Sequence, residues 1–256
     1  PNGSHTMTSN SSQNQQAATS ESPNPQAAHY NAIHDAYEAH YYDAASMDYR
    51  HRFLYQPLLE GLRLEKASVA DLACGSGHNS LALRDYFPGV ATTGYDISEA
   101  ACRDYRINIG GLAHQVDLTR PYSAETAHDA AMIIGGLHHC VIDLKTTLAN
   151  VARMVRPGGH FMMMEPSDHS FLSGIRRLWY KADHWFESDT EHALKHDELA
   201  ALAAPYFTPE KVVYTGGPAD CDDRAGTEWA DRCAAPVRNR WRAHGCALCA
   251  HSDRRG

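Results

Sequence analysis

The amino-acid sequence predicts an α/β fold: a doubly wound, mostly parallel sheet with helices on both faces. Three observations lead there. Apolar runs of strand length alternate with helix-length amphipathic segments from residue 68 to residue 166. Pro-Gly pairs close two of the helical segments, at Pro88-Gly89 and at Pro157-Gly158-Gly159. The first apolar run ends in Asp71, followed by a turn of small residues that carries Gly75 and Gly77. Alternation of this kind packs as parallel strands joined by right-handed crossovers.

Residues 1–27 lie ahead of that pattern. "PNGSHT" before Met7 reads as a cloning-tag scar, and residues 7–27 carry one large apolar side chain, Met7 itself. Such a segment buries too little surface to offset its ordering entropy, so a disordered tail is expected. From Tyr30 to about Leu62, apolar residues recur on one helical face at Ile33, Tyr37 and Tyr41, then at Phe53, Leu54, Pro57 and Leu58. Two N-terminal helices are expected, broken at Met47-Asp48 with Asp48 as an N-cap.

The alternation then begins. SVADLA (68–73) reads as a buried strand and HNSLALRDYF (78–87) as a helix. VATTGYDI (90–97) is a strand, EAACRDYRIN (99–108) a helix and LAHQVDL (112–118) a strand. DAAMIIGGL (129–137) is a strand, LKTTLANVARMV (144–155) an amphipathic helix and HFMMMEP (160–166) the fifth strand. An aromatic-rich stretch, FLSGIRRLWYKADHWFES (171–188), interrupts the rhythm as a helical insertion, within a lid at about 168–194. HDELAALAAPYF (196–207) is a further helix and EKVVYTG (210–216) a sixth strand. Residues 28–217 thus form the main domain.

Composition shifts in 218–256, which hold seven Arg and four of the chain's seven Cys but only Val237 and Leu248 as branched aliphatics. No central strand is expected there. A short helix near 227–244, interrupted at Pro236, is the nearest regular reading of this atypical tail.

The whole chain has 256 residues and a formal charge of −8. No Lys/Arg block exceeds two residues, which disfavours nucleic acid as a partner. No stretch approaches the roughly 20 apolar residues of a membrane span, and no secretory signal pattern opens the chain. An odd number of cysteines gives no disulfide framework, so the cytoplasm is the expected compartment. Cys246-x-x-Cys249 with His244 and His251 has half the spacing of a zinc site, and no second pair accompanies it, so no metal is expected.

In open parallel sheets, ligands bind beyond the carboxyl ends of the strands, and the turn after the first strand is that place. A dinucleotide fingerprint would need a third glycine where Ser80 stands, and a phosphate loop would need Gly-Lys-Ser/Thr. What remains is Asp71, a small-residue turn, and a second acid, Asp96, at the end of the next strand. Asp96 suits the two hydroxyls of a ribose; Asp71 suits a ligand bearing an ammonium.

A ribose, an ammonium and no pyrophosphate describe S-adenosylmethionine. "VADLACGSGHNS" resembles the glycine-rich motif of class I S-adenosylmethionine-dependent methyltransferases, and "GYDIS" their acidic second-strand motif. "VDLTR", "IIGGLHHC" and "MVRPGGHFMMMEP" resemble the later motifs, in order, across residues 40–216. The resemblance implies the Rossmann-like fold of that family, with S-adenosyl-L-methionine as cofactor and S-adenosyl-L-homocysteine as product. It implies that Asp71, Gly75 and Gly77 hold the methionine moiety, with Ala73, Ser76 and Asn79 in the same loop. Asp96 and Ile97 would hold ribose and adenine, Asp117 and Leu118 would flank the adenine, and Gly135 and Leu137 would line the reaction centre. The family's usual antiparallel seventh strand lacks an apolar sequence here, so either a truncated sheet or a tail covering the edge is expected.

The candidate catalytic residues are His139 and His138, just beyond the fourth strand, because histidine titrates near neutral pH. Candidate acceptor-binding residues are Tyr41, Glu165, His169, Trp179, Tyr180 and Glu191. The motif is not the N-P-P-Y type that clamps exocyclic amines. The expected reaction is methyl transfer to an oxygen or ring nitrogen of a small molecule, in secondary-metabolite or polysaccharide biosynthesis, by a monomer or homodimer. RNA or protein methylation, and a non-catalytic cofactor-binding fold, remain the alternatives.

Overall fold

The computed structural model describes Asn31, Tyr42 and residues 44–124, 127–166, 194–214 and 236–243. The expected tail at 1–27 and nearly all of the lid lie outside the described residues. Among the described residues, no helix is long and apolar enough to cross a membrane.

Helix α1 (Ala44–Arg50) runs through one π-helical turn (His51–Tyr55) into α2 (Gln56–Leu59). The expected break at Met47-Asp48 is absent. Asp48 lies inside α1, where its Oδ2 meets Arg52 Nε one turn on, at 3.2 Å, instead of capping a new helix. Next come β1 (Ser68–Leu72), α3 (His78–Tyr86), β2 (Ala91–Asp96), α4 (Glu99–Ile109) and β3 (Ala113–Gln115). β4 (His128–Ile134) leads through a 3-10 turn (Leu137–Asp143) to α5 (Leu144–Met154). β5 (Val155–Pro166), α6 (His196–Ala203), β6 (Phe207–Tyr214) and β7 (Pro236–Ala243) complete the order. Ser98 and Asp143 cap α4 and α5, their side chains accepting from Ala101 N–H and Thr146 N–H.

The sheet order is β3-β2-β1-β4-β5-β7-β6. β3, β2, β1, β4 and β5 are parallel, and β7 is antiparallel to both β5 and β6. This corrects the expectation for the tail. Within the Arg-rich segment, residues 236–243 form neither a helix nor an edge cover but an interior strand, with Phe161 opposite Trp241 on one side and Val212 opposite Asn239 on the other. Two backbone ladders specify it where its own composition does not. β5 also begins earlier than expected. The Pro-Gly-Gly turn survives as a bulge between the His128–Val155 and Ala130–His160 pairs.

Period-two alternation sends side chains to two apolar layers. Ala70, Leu72, Ala131, Ile133, Phe161 and Met163 pack with Leu148 and Val151 of α5 and Leu199 of α6. Val69, Ala130, Met132, Met162 and Met164 pack with α3 and the N-terminal helices. The same parity turns Asp71 toward α3.

Candidate cofactor and acceptor site

β1 is the point where strand order reverses, with β2 on one side and β4 on the other. A crevice is expected at its carboxyl end, and three loops meet there. The β1 loop carries three residues in the left-handed region: Ala73 (φ 50°), Gly75 (φ 52°) and Gly77 (φ 96°). Gly77 cannot be replaced cheaply, because a Cβ there would lie 2.6 Å from Ile109 Cγ1 of α4.

The loops are tied to one another. Asp96, ending β2, accepts the Gly75 N–H on Oδ2 at 3.0 Å and the Ser98 N–H on Oδ1 at 2.8 Å. Across the crevice, a Cβ added to Gly136 would lie 2.4 Å from Ala73 Cβ, so the β1 and β4 loops touch where Gly136 has no side chain. Glu165, near the end of β5 and 1 % exposed, accepts the N–H groups of Gly136 (3.0 Å), Leu137 (2.7 Å) and His138 (3.3 Å). Its Oε2 also meets His138 Nδ1 at 2.7 Å.

Several expected ligand contacts take other forms. Asp71 is completely buried and accepts the Ser80 hydroxyl at 2.6 Å; Ser80 in turn meets the Tyr105 hydroxyl at 2.8 Å. Asp71 therefore presents no surface to a ligand in this conformation. Asn79 is buried as well, and its Oδ1 accepts from the Tyr55 hydroxyl at 2.7 Å, tying α3 to the π-helical turn. Ser76 is buried and its carbonyl accepts from Asn108. Ile97 is half-buried beside Asp96. Asp117 caps its own turn, with Oδ1 accepting from Thr119 N–H and Oγ1 and Oδ2 near Arg120 Nε at 3.3 Å. Leu118 and Leu137 are buried in one apolar cluster, while Gly135 (φ 68°) has open space where a Cβ would point. His138 and His139 stand with ring centroids 3.8 Å apart. Glu165, expected against the acceptor, is buried with both oxygens bonded to the β4 loop. Tyr41, His169, Trp179, Tyr180 and Glu191 lie outside the described residues, as does the Cys246–Cys249 pair.

The sequence reading missed Ser80, noted there only as an absent glycine, and Tyr105. The N-terminal segment packs at the mouth of the loop. Tyr42 stacks on His78, the first residue of α3, at 4.1 Å, and the Arg50 guanidinium lies 4.7 Å from the Tyr42 ring centroid.

Burial lifts the Asp71 carboxyl from its ordinary 3.8 to about 8. The folded chain then keeps a proton that the unfolded chain has released. That contribution to stability is full below about pH 4 and is lost as pH rises through about 8. Melts of the ligand-free chain should show a Tm that falls between about pH 4 and pH 8 and levels off above it. Asp71→Asn should flatten that slope; an unchanged slope would show that Asp71 does not carry it.

The crevice fits S-adenosylmethionine by three features. A carboxylate fixed by two backbone N–H groups has further acceptor capacity for a ribose. Asp71 Oδ1 is buried under the loop with no hydrogen-bond partner. The open space at Gly135 and the left-handed Gly75 let a ligand approach the main chain.

Comparison with known proteins agrees. Residues 70–161 match the family model described as a methyltransferase domain. A search of curated proteins finds no match to this sequence. Among solved structures, the chain is similar to one solved as the complex between the Haloferax volcanii Trm112 methyltransferase activator and its partner chain (20 % identity, 82 % of this chain and 97 % of that one, TM-score 0.62). It is also similar to a Thermotoga maritima S-adenosylmethionine-dependent methyltransferase (15 %, 84 % and 98 %, TM-score 0.62). A third is the N-methyltransferase NodS of Bradyrhizobium japonicum bound to S-adenosyl-L-homocysteine (15 %, 78 % and 88 %, TM-score 0.54). Residues 70–161 thus match a methyltransferase domain, and the chain shares the fold of solved S-adenosylmethionine-dependent methyltransferases. Among the described residues, no group of three or more His, Cys, Asp or Glu could hold a metal ion.

Proposed function

We propose that the enzyme methylates an oxygen or ring nitrogen of a small molecule. The carrying observation is the strand-order reversal at β1, where the Asp96 carboxylate is fixed at the end of β2 on one side and a histidine pair stands beyond β4 on the other. The aromatic-rich sequence at 171–188 supplies apolar stacking residues suited to a compact acceptor, and the acidic balance of the chain disfavours a polyanion. The N-methyltransferase NodS shares the fold, as does a structure solved for the conversion of a disulfide bond into a thioacetal group during echinomycin biosynthesis.

Bound S-adenosylmethionine supplies a methyl group already activated on a positively charged sulfur. Asp96 would take the ribose hydroxyls, Gly75 and Gly77 the close approach of the methionine moiety, and Asp117 and Leu118 the adenine edge. The chain's remaining tasks are alignment, exclusion of water and removal of the acceptor's proton. Alignment of reacting groups is worth roughly 7–11 kcal/mol of barrier. A positioned base adds about 10²–10⁴-fold when the acceptor is a weak acid. One histidine of the pair takes that role.

Incubation of purified protein with methyl-labelled S-adenosylmethionine and separate pools of phenols, sugars, nitrogen heterocycles, RNA and protein tests this reading. Label is expected in a small-molecule pool. Label appearing only in RNA or protein would overturn it.

A further inference from the structure

We propose that Glu165 is a positioning residue that fixes the tautomer of His138, making His138 rather than His139 the base for methyl transfer. This rests on the proposed methyl transfer to a weakly acidic oxygen or nitrogen and deepens it.

Glu165 has 1 % of its side-chain surface exposed, and its two oxygens take four donors. Oε1 accepts from Gly136 N–H and Leu137 N–H, and Oε2 from His138 N–H and Nδ1. An ionised carboxylate only accepts hydrogen bonds. A neutral imidazole meeting it through Nδ1 must therefore carry its proton there, which puts the ring's lone pair on Nε2. The same carboxylate holds the backbone of the residue whose ring it orients, so ring and loop are fixed together. The His138 side chain keeps 15 % of its surface exposed, so an anchored ring is still reachable. A clamp for the β4 loop alone would need the three backbone contacts and not the fourth.

The step balances as follows. The acceptor's O–H or N–H bond breaks and its proton passes to His138 Nε2. The electron pair left on the acceptor forms the bond to the methyl carbon. The carbon–sulfur bond breaks with its pair kept by sulfur, which loses its positive charge. Imidazolium then returns the proton to water, and the Glu165 carboxylate beside Nδ1 stabilises that cation.

The test joins nitrogen-15 NMR of the histidine rings to kinetics with the acceptors found by the labelling screen. Wild-type His138 should be the Nδ1–H tautomer. In Glu165→Gln the side-chain amide donates to Nδ1 and moves the proton to Nε2. The kcat of that variant should fall about 100-fold or more with the S-adenosylmethionine KM little changed. The loss should steepen for less acidic acceptors, which a merely structural role would not produce. His138→Ala should match that loss and recover partly with added imidazole, while His139→Ala stays within about tenfold of wild type. An Nε2–H tautomer in the wild type, or His139→Ala as impaired as His138→Ala, would overturn the assignment even if Glu165→Gln folds poorly. Label in a small-molecule pool together with an intact S-adenosylhomocysteine isotherm separates that failure from failure of the functional reading, in which the wild type labels no small molecule.

Discussion

Asp96→Ala should weaken S-adenosylhomocysteine binding about 100- to 1,000-fold, measured by titration calorimetry, while the sheet persists. Hydrogen bonds to a charged group are worth roughly 1.5–3 kcal/mol each, and two ribose hydroxyls would lose their acceptor at once. The loop also loosens, because Asp96 Oδ2 holds the Gly75 N–H and Oδ1 the Ser98 N–H. That second loss costs about 1 kcal/mol and lowers Tm by a few degrees. Asp96→Asn should lie between the two, since its amide oxygen keeps one acceptor. An affinity within tenfold of wild type for Asp96→Ala would remove Asp96 from the ribose role.

The second large effect is steric. Gly136→Ala should destabilise the protein by about 3 kcal/mol, near the upper end for overpacking. Its new Cβ would lie 2.4 Å from Ala73 Cβ and 3.2 Å from Ile133 Cγ1. The backbone angles at Gly136 (φ −126°, ψ −21°) are open to alanine, so the penalty comes from contact and not from conformation. Ala73→Gly in the same chain should therefore recover most of the loss. It removes the methyl on the other side of the contact and relieves a non-glycine residue at φ 50°. Denaturant melts of the two single variants and the double variant measure this coupling directly. Equal losses with no recovery would place the strain elsewhere.

Most of the sheet was legible because its central strands are buried on both faces and read as unbroken apolar runs. SVADL and HDAAMII are such runs; the first strand ends within a residue of where it was expected, and the fourth begins one residue early and stops three short, at Ile134. β3 was overdrawn: only Ala113–Gln115 pairs with β2, and Asp117 turns away to cap its own loop. β7 was invisible, because its place depends on partners on both sides and not on an apolar pattern. At the site, local spacing marked the loop glycines and Asp96. It could not mark what Asp71 and Glu165 do. Asp71 is satisfied by Ser80 through strand parity and a helical turn. Glu165 meets a loop that lies 27 to 29 positions earlier in the chain.

The placement of β7 has a consequence for biosynthesis. β5 and β6 share no ladder with each other; residues 236–243 join them. A nascent chain can assemble the β3-to-β5 half while still on the ribosome, but the other half must wait for a segment made more than twenty residues after β6. Until it arrives, β5 presents an unsatisfied row of amides, the kind of edge that invites mispairing with a neighbouring polypeptide.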